Sequence, residues 1–153
     1  NASVSGGAGS VASGRGASVS GGSGNTASGH GASVSGGSGG RADGRNATVS
    51  GGSFNDATGF ASSVSGGLSG VAIGSGSSVS GGAHNVAEGQ GSAISEGPVN
   101  AATGLFSSVS GGAANEADGR YSSVSGGRSE VLRGNHSWLG ANFESRYYVD
   151  DDH

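Results

Sequence analysis

The chain has no cysteine and no methionine, one proline, one tryptophan, and aromatic residues at 5% of its 153 positions. Lysine is missing as well. Without cysteine there can be no disulfide framework, thiol redox chemistry or Cys-based zinc site. Seven basic residues, all arginine, stand against eleven acidic ones, for a formal net charge of -4. That balance supplies no basic stripe of the kind nucleic-acid binding requires, so nucleic acid is not an expected partner. No apolar run approaches the length that crosses a bilayer, and membrane insertion of this segment is not expected. No signal-peptide pattern precedes the first repeat, and the chain opens on Asn1 rather than methionine. The expectation is a processed product or a piece of something longer.

What is abundant is glycine, 36 residues, against 31% hydrophobic and 12% charged. There is little here to bury in a globular core, and composition alone describes a flexible linker. The phase of the residues argues otherwise. Ser3-Val4-Ser5-Gly6-Gly7 returns every fifteen residues with no insertion, and Val4, Val19, Val34, Val49, Val64, Val79, Ile94, Val109 and Val124 hold one position of the unit. A second mark keeps the same beat: Ala12 and its equivalents through Ala117, and glycine at Gly14 and every fifteenth residue to Gly134. A linker has no reason to keep a β-branched residue in register, whereas stacked repeats must.

Each unit holds two segments of strand character, Ser-Val-Ser and Asn-x-Ala-x, and each runs into glycine. Glycine suits a corner because it accepts positive φ without a Cβ clash. Two strands and two turns close one flat coil, so the expected fold is all-β: a parallel β-solenoid of about nine two-strand coils over residues 1–134. At an interstrand spacing of ~4.8 Å, nine coils would span roughly 43 Å.

Alternation assigns the faces. Val4 and Ala12 point inward. Outward on the first sheet lie Ser3, Ser18, Ser33, Ser63, Ser78, Ser108 and Ser123, with Thr48 and Ala93 in the same column, and Ser5, Ser20, Ser35, Ser50, Ser65, Ser80, Ser95, Ser110 and Ser125 without variation. Outward on the second sheet, Val11, Thr26, Arg41, Asp56, Val71, Val86, Ala101, Glu116 and Val131 wander through charge and size. A variable face tolerates water; a uniform face of small hydroxyls suggests something lying flat on it. These serines are the expected oligomer interface, with closed symmetry and three chains the preferred solution.

Asn25, Asn55, Asn85, Asn100 and Asn115 share the inward parity of alanine and are expected to form a ladder of stacked amides, interrupted at Ser10, Gly40, Gly70 and Glu130. In the seventh unit Glu96 replaces the first glycine of the pair. Strict alternation would bury its carboxylate, so this position is expected to sit at the bend and face water.

The unit Ser-Val-Ser-Gly-Gly-x-x-Asn-x-Ala-x-Gly-x-x-Ser resembles the head repeat of YadA-like trimeric autotransporter adhesins, whose unit is similar to Ser-Val-Ala-Ile-Gly-x-x-Ser-x-Ala-x-Gly. The resemblance covers residues 1–134. It implies that each unit is one turn of a left-handed parallel β-roll, that three rolls associate about a common axis, and that the assembly stands on a bacterial surface and binds host matrix proteins or cells. Val4 and its equivalents match the inner-strand valine, Ala12 and its equivalents the outer-strand alanine, and Gly7 and Gly14 the turn glycines. Where the family has isoleucine this chain has Gly6, Gly21 and Gly36, which takes an apolar side chain out of every coil.

Bulk arrives at the end. Trp138, Leu139, Phe143, Tyr147 and Tyr148, in a segment of residues 135–153, are expected to close the stack as a cap, or to join it to a neck or stalk. At the start, Asn1-Ala2-Ser3 enters the repeat uncapped. Upstream coils or another subunit stacking end to end into a filament would cover that edge.

Chemistry is not expected. No His-x-x-x-His, paired-carboxylate pocket, nucleophile elbow or Walker loop is present. His30, His84, His136 and His153 fall at scattered phases, and Asp150-Asp151-Asp152 reads as a solvated tail, so no metal, cofactor or catalytic residue is expected. Asn46-Ala47-Thr48 and Asn135-His136-Ser137 are sequons that matter only where a secretory pathway glycosylates. Phe54, Phe60, Phe106, Tyr121 and Arg120, with Arg45, occupy variable loop phases and form a candidate edge for a host or matrix protein, a glycan or a neighbouring chain. The expected function is a non-catalytic rod, extracellular or at the cell surface, a segment of an adhesin or fibre. A self-assembling filament subunit and an ice-binding solenoid using the Ser-x-Ser face are the alternatives.

Overall fold

A computed structural model describes residues 1–140. It is a parallel β-solenoid. Two-residue strands beginning at Ser3–Val4 and Val11–Ala12 recur coil after coil and form a ten-stranded sheet and a nine-stranded sheet, each ordered by sequence. Register is strict: Ser3 lies opposite Ser18, Val4 opposite Val19, and Ala12 opposite Ala27. The sheets are called here the serine sheet and the alanine sheet.

The core is the strip between them. Val19, Val34, Val49, Val64, Val109 and Val124 from one side and Ala27, Ala42, Ala57, Ala72, Ala87, Ala102 and Ala117 from the other are fully buried. Val4, with a coil on one flank only, is 46% exposed. A third inward column begins with Ala17, Ala32 and Ala47 and continues as Ser62, Ser77, Ser92, Ser107 and Ser122, all buried. Alternation back from Val19 reaches Ala17, so this column was legible in the sequence.

The two strict glycine columns have different causes. Gly7 and its equivalents do take positive φ, from +80° at Gly52 to +106° at Gly127. The Gly14 column does not, which corrects the expectation that positive φ explains both corners. There the coils touch: a Cβ on Gly29 would lie 2.0 Å from the carbonyl oxygen of Gly44, and one on Gly89 1.9 Å from that of Gly104. By contrast, a Cβ on Gly21, Gly36, Gly51, Gly66 or Gly111 would meet nothing within 4 Å. These belong to the Gly6 column, and Glu96, in the same column, is exposed at the bend as expected.

The buried asparagines do not pair amide to amide. Each clips backbones instead. Asn25 donates from Nδ2 to the carbonyls of Gly21, at 2.8 Å, and Gly37, at 3.1 Å, while its Oδ1 accepts the N–H of Gly40 at 2.8 Å. Asn55, Asn85, Asn100 and Asn115 repeat the pattern. The carbonyls at the Gly-Gly corner have no sheet partner for one of their lone pairs, and the amide reaches them across the core.

Parallel pairing runs past residue 134. Trp138–Leu139 joins the serine sheet opposite Ser123 and Val124, and Leu139 is buried in the valine column. Leu139 therefore extends the core by one coil. Trp138, expected in the cap, is 66% exposed and turns along the outer face, its Nε1 donating to Ser125 Oγ at 2.7 Å. Gly140 stands where the serine row would continue, and a Cβ there would lie 2.6 Å from the indole. Phe143, Tyr147 and Tyr148 lie outside the described residues.

Candidate interaction surfaces

The outward serines lie as alternation requires. Those of the Ser3 column are half-buried against their neighbours from Ser18 onward; those of the Ser5 column are exposed. Some hydroxyls bond along the row, Ser33 to Thr48 at 3.5 Å and Ser108 to Ser123 at 3.0 Å. The whole face carries no charge, and beside it the Gly6 column adds a corner that is bare of side chains except at Glu96.

The outer face of the alanine sheet is the opposite in kind. Arg41 pairs with Asp43 in its own coil and with Asp56 in the next, the latter at 3.6 Å, and Ser28 Oγ donates to Asp43. Burial is the main force pushing the Asp56 carboxyl above its ordinary 3.8; Arg41 opposes the rise and Asp43 adds to it. Asp56 Oδ1 has no hydrogen-bond partner. Further along, Thr103 donates to Asp118 at 2.9 Å and Arg133 lies 3.9 Å from the same carboxylate.

The candidate aromatic edge separates into two. Phe54, 65% exposed, stands on the corner that follows the serine sheet, and its ring lies over Gly39. Phe60, Phe106, Arg120 and Tyr121 stand on the opposite corner, after the alanine sheet. There the rings of Phe106 and Tyr121 stack at 5.4 Å and 12°, Tyr121 and His136 at 5.1 Å and 18°, and the Arg120 guanidinium lies 5.2 Å from the centre of the Tyr121 ring. Phe60, one position out of phase with them, takes no part in the stack. The role of His136 was missed by treating the histidines as scattered. Its phase equals that of Phe106 and Tyr121, and that equality was the signal.

Phe54, Phe106, Tyr121 and His136 all adopt positive φ, between +54° and +56°. Their columns hold glycine in other coils, at Gly24, Gly39, Gly76 and Gly91. Seven glycines share these two columns with eleven non-glycine residues at positive φ, so the left-handed corner accepts side chains and presents each of them outward. Val99, a β-branched residue at φ +60° and 56% exposed, is the most strained of these substitutions.

Among the described residues, no three His, Asp or Glu side chains come together to hold a metal, and no helix is long and apolar enough to cross a membrane. No protein-family model and no curated protein matches the chain.

Proposed function

We propose that this chain is a non-catalytic rod, a segment of a trimeric adhesin or fibre at the cell surface, whose coils associate through the serine sheet and expose the alanine sheet and the corners. One observation carries the reading: an uncharged, flat hydroxyl face kept uniform over nine coils stands opposite a face that changes in charge and size from coil to coil. Gly21, Gly36, Gly51, Gly66 and Gly111 of the Gly6 column support it, because ordinary φ and open space give them no reason within the coil. A glycine with no internal reason suits close approach by another backbone. The resemblance of the repeat to trimeric adhesin heads points the same way.

Light scattering tests the assembly: a trimeric mass is expected at micromolar concentration. Ser65→Glu with Ser80→Glu should reduce it to a monomer that keeps its β spectrum, whereas Thr58→Glu, on the opposite face, should leave the mass unchanged. A monomeric wild-type chain removes the proposal. The in-register hydroxyl rows also favour a second reading, ice or crystal-surface binding, and thermal hysteresis of the folded chain separates it from the first.

A further inference from the structure

Arg15, His30 and Arg45 occupy one position of three successive coils, on the corner that follows the alanine sheet. All three are exposed, and no ion pair or hydrogen bond engages their side chains. Among the described residues, no acidic residue occurs in this column. The nearest carboxylate in sequence, Asp43, is taken up by Arg41 and Ser28. On either side the lane is bare: Gly14, Gly29 and Gly44 precede the three residues, and Gly16 and Gly31 follow the first two. Two guanidiniums and an imidazole thus stand in line along the solenoid axis, unpaired and open to solvent, in a chain whose net charge is negative.

We propose that this ladder binds an extended acidic polysaccharide lying parallel to the axis. Its three rungs repeat at the interstrand spacing of ~4.8 Å, which is close to the length of one pyranose in an extended chain, so successive anionic sugars meet successive coils. An acidic peptide in extended form fits less well, since carboxylates on one side of it repeat at about 6.6 Å, twice the strand rise. Single-stranded nucleic acid needs aromatic platforms for its bases, and this corner has no Phe, Tyr or Trp in the first three coils. Guanidinium pairs bidentately with sulfate-like and carboxylate groups. The site needs no partner subunit, so it does not depend on the trimer.

Retention on immobilised heparin, eluted with a sodium chloride gradient, tests the ladder. The wild-type chain should be retained and elute earlier as salt screens the contact. Arg15→Gln with Arg45→Gln should weaken binding about tenfold, the scale of two exposed charge pairs. Arg120→Gln, in the same column but five coils from Arg45, should bind within about twofold of wild type. All three positions are exposed, so circular dichroism should be unchanged. Loss of retention in the double variant alone supports the site. A wild-type chain that flows through, a double variant that binds like wild type, or single-stranded DNA that competes as well as heparin overturns it. Mass in solution is measured separately, so a monomer that binds heparin loses the trimer and keeps this site.

Discussion

Asn85 Oδ1 accepts the backbone N–H of Asn100, one coil ahead, at 2.8 Å, while Asn85 Nδ2 donates to the carbonyls of Gly81 and Gly97 at 2.8 and 2.7 Å. One buried side chain therefore satisfies three backbone groups in two coils. Asn85→Ala strands the Gly81 carbonyl and the Asn100 N–H, and leaves the Gly97 carbonyl only the Ala83 N–H at 3.3 Å. At about 1–3 kcal/mol for each unsatisfied buried group, partly relieved by hydration at the corner, the expected loss is about 2–4 kcal/mol in urea unfolding. Asn85→Asp removes both donors and buries a charge, and should be worse. Gly40 and Gly70 show that a coil can do without the clip, so the fold should survive both changes locally weakened.

The glycines divide into required and free. Gly29→Ala places a methyl 2.0 Å from the Gly44 carbonyl oxygen and should cost more than ~4 kcal/mol, the range reserved for severe backbone or core conflicts. Gly22→Ala meets a carbonyl at 2.2 Å and also a φ of +85°, and should be equally severe. Gly21→Ala meets nothing within 4 Å and should be neutral or gain about 0.4–1 kcal/mol through the unfolded chain. Thermal melts of the three variants check the order. If the Gly21 corner receives another subunit, Gly21→Ala and Gly36→Ala together should weaken association without lowering the stability of the coil.

How much of this was legible follows from which interactions are local. Parity placed Val19 and Ala27 in the core and Ser20 outside, because alternation along a strand is a property of the backbone alone. The bend at Glu96 followed from the cost of burying its charge. The cause of the Gly14 column was not legible, since it depends on how closely two coils approach at a corner. Nor were the asparagine clips: stacked amides and backbone clips demand the same residue at the same phase. Phe54 was grouped with Phe106 and Tyr121 because all occupy variable loop phases, and the coil geometry puts it on the opposite corner. Parity places Trp138 outward, in the column of Ser123, but not along Ser125: its ring lies over Gly140, where a Cβ would meet it at 2.6 Å, a relation that parity does not encode. What covers the serine rows is a property of the assembly, beyond any single chain.

Among the described residues, four hydroxyls in the core have no partner: Ser77, Ser92, Ser107 and Ser122, each no more than 1% exposed. Ser62, in the same column, donates to the Gly59 carbonyl at 2.9 Å. Ala17, Ala32 and Ala47 show that the position accepts a methyl. Burying an unpaired hydroxyl costs about 1–3 kcal/mol, so Ser92→Ala and Ser107→Ala should each raise stability by about 1 kcal/mol, and Ser62→Ala should not. Chemical denaturation midpoints with an unchanged m-value are the readout.

Asp56 ties stability to pH. Its folded pKa is raised above 3.8, first by burial and then by Asp43, against the pull of Arg41. In the window between 3.8 and the raised value the folded chain holds a proton that the unfolded chain has released, so stability from this group falls as pH rises through the window. Above the window the ionised, partly buried carboxylate carries its full cost. Asp56→Asn removes that cost, keeps an acceptor for Arg41 and leaves Arg41 its pair with Asp43. The variant should therefore be more stable than wild type at neutral pH, and the two should converge as pH falls toward 3.8. Urea unfolding of both chains across that range measures the difference. A variant less stable at neutral pH would mean that attraction to Arg41 outweighs burial at Asp56.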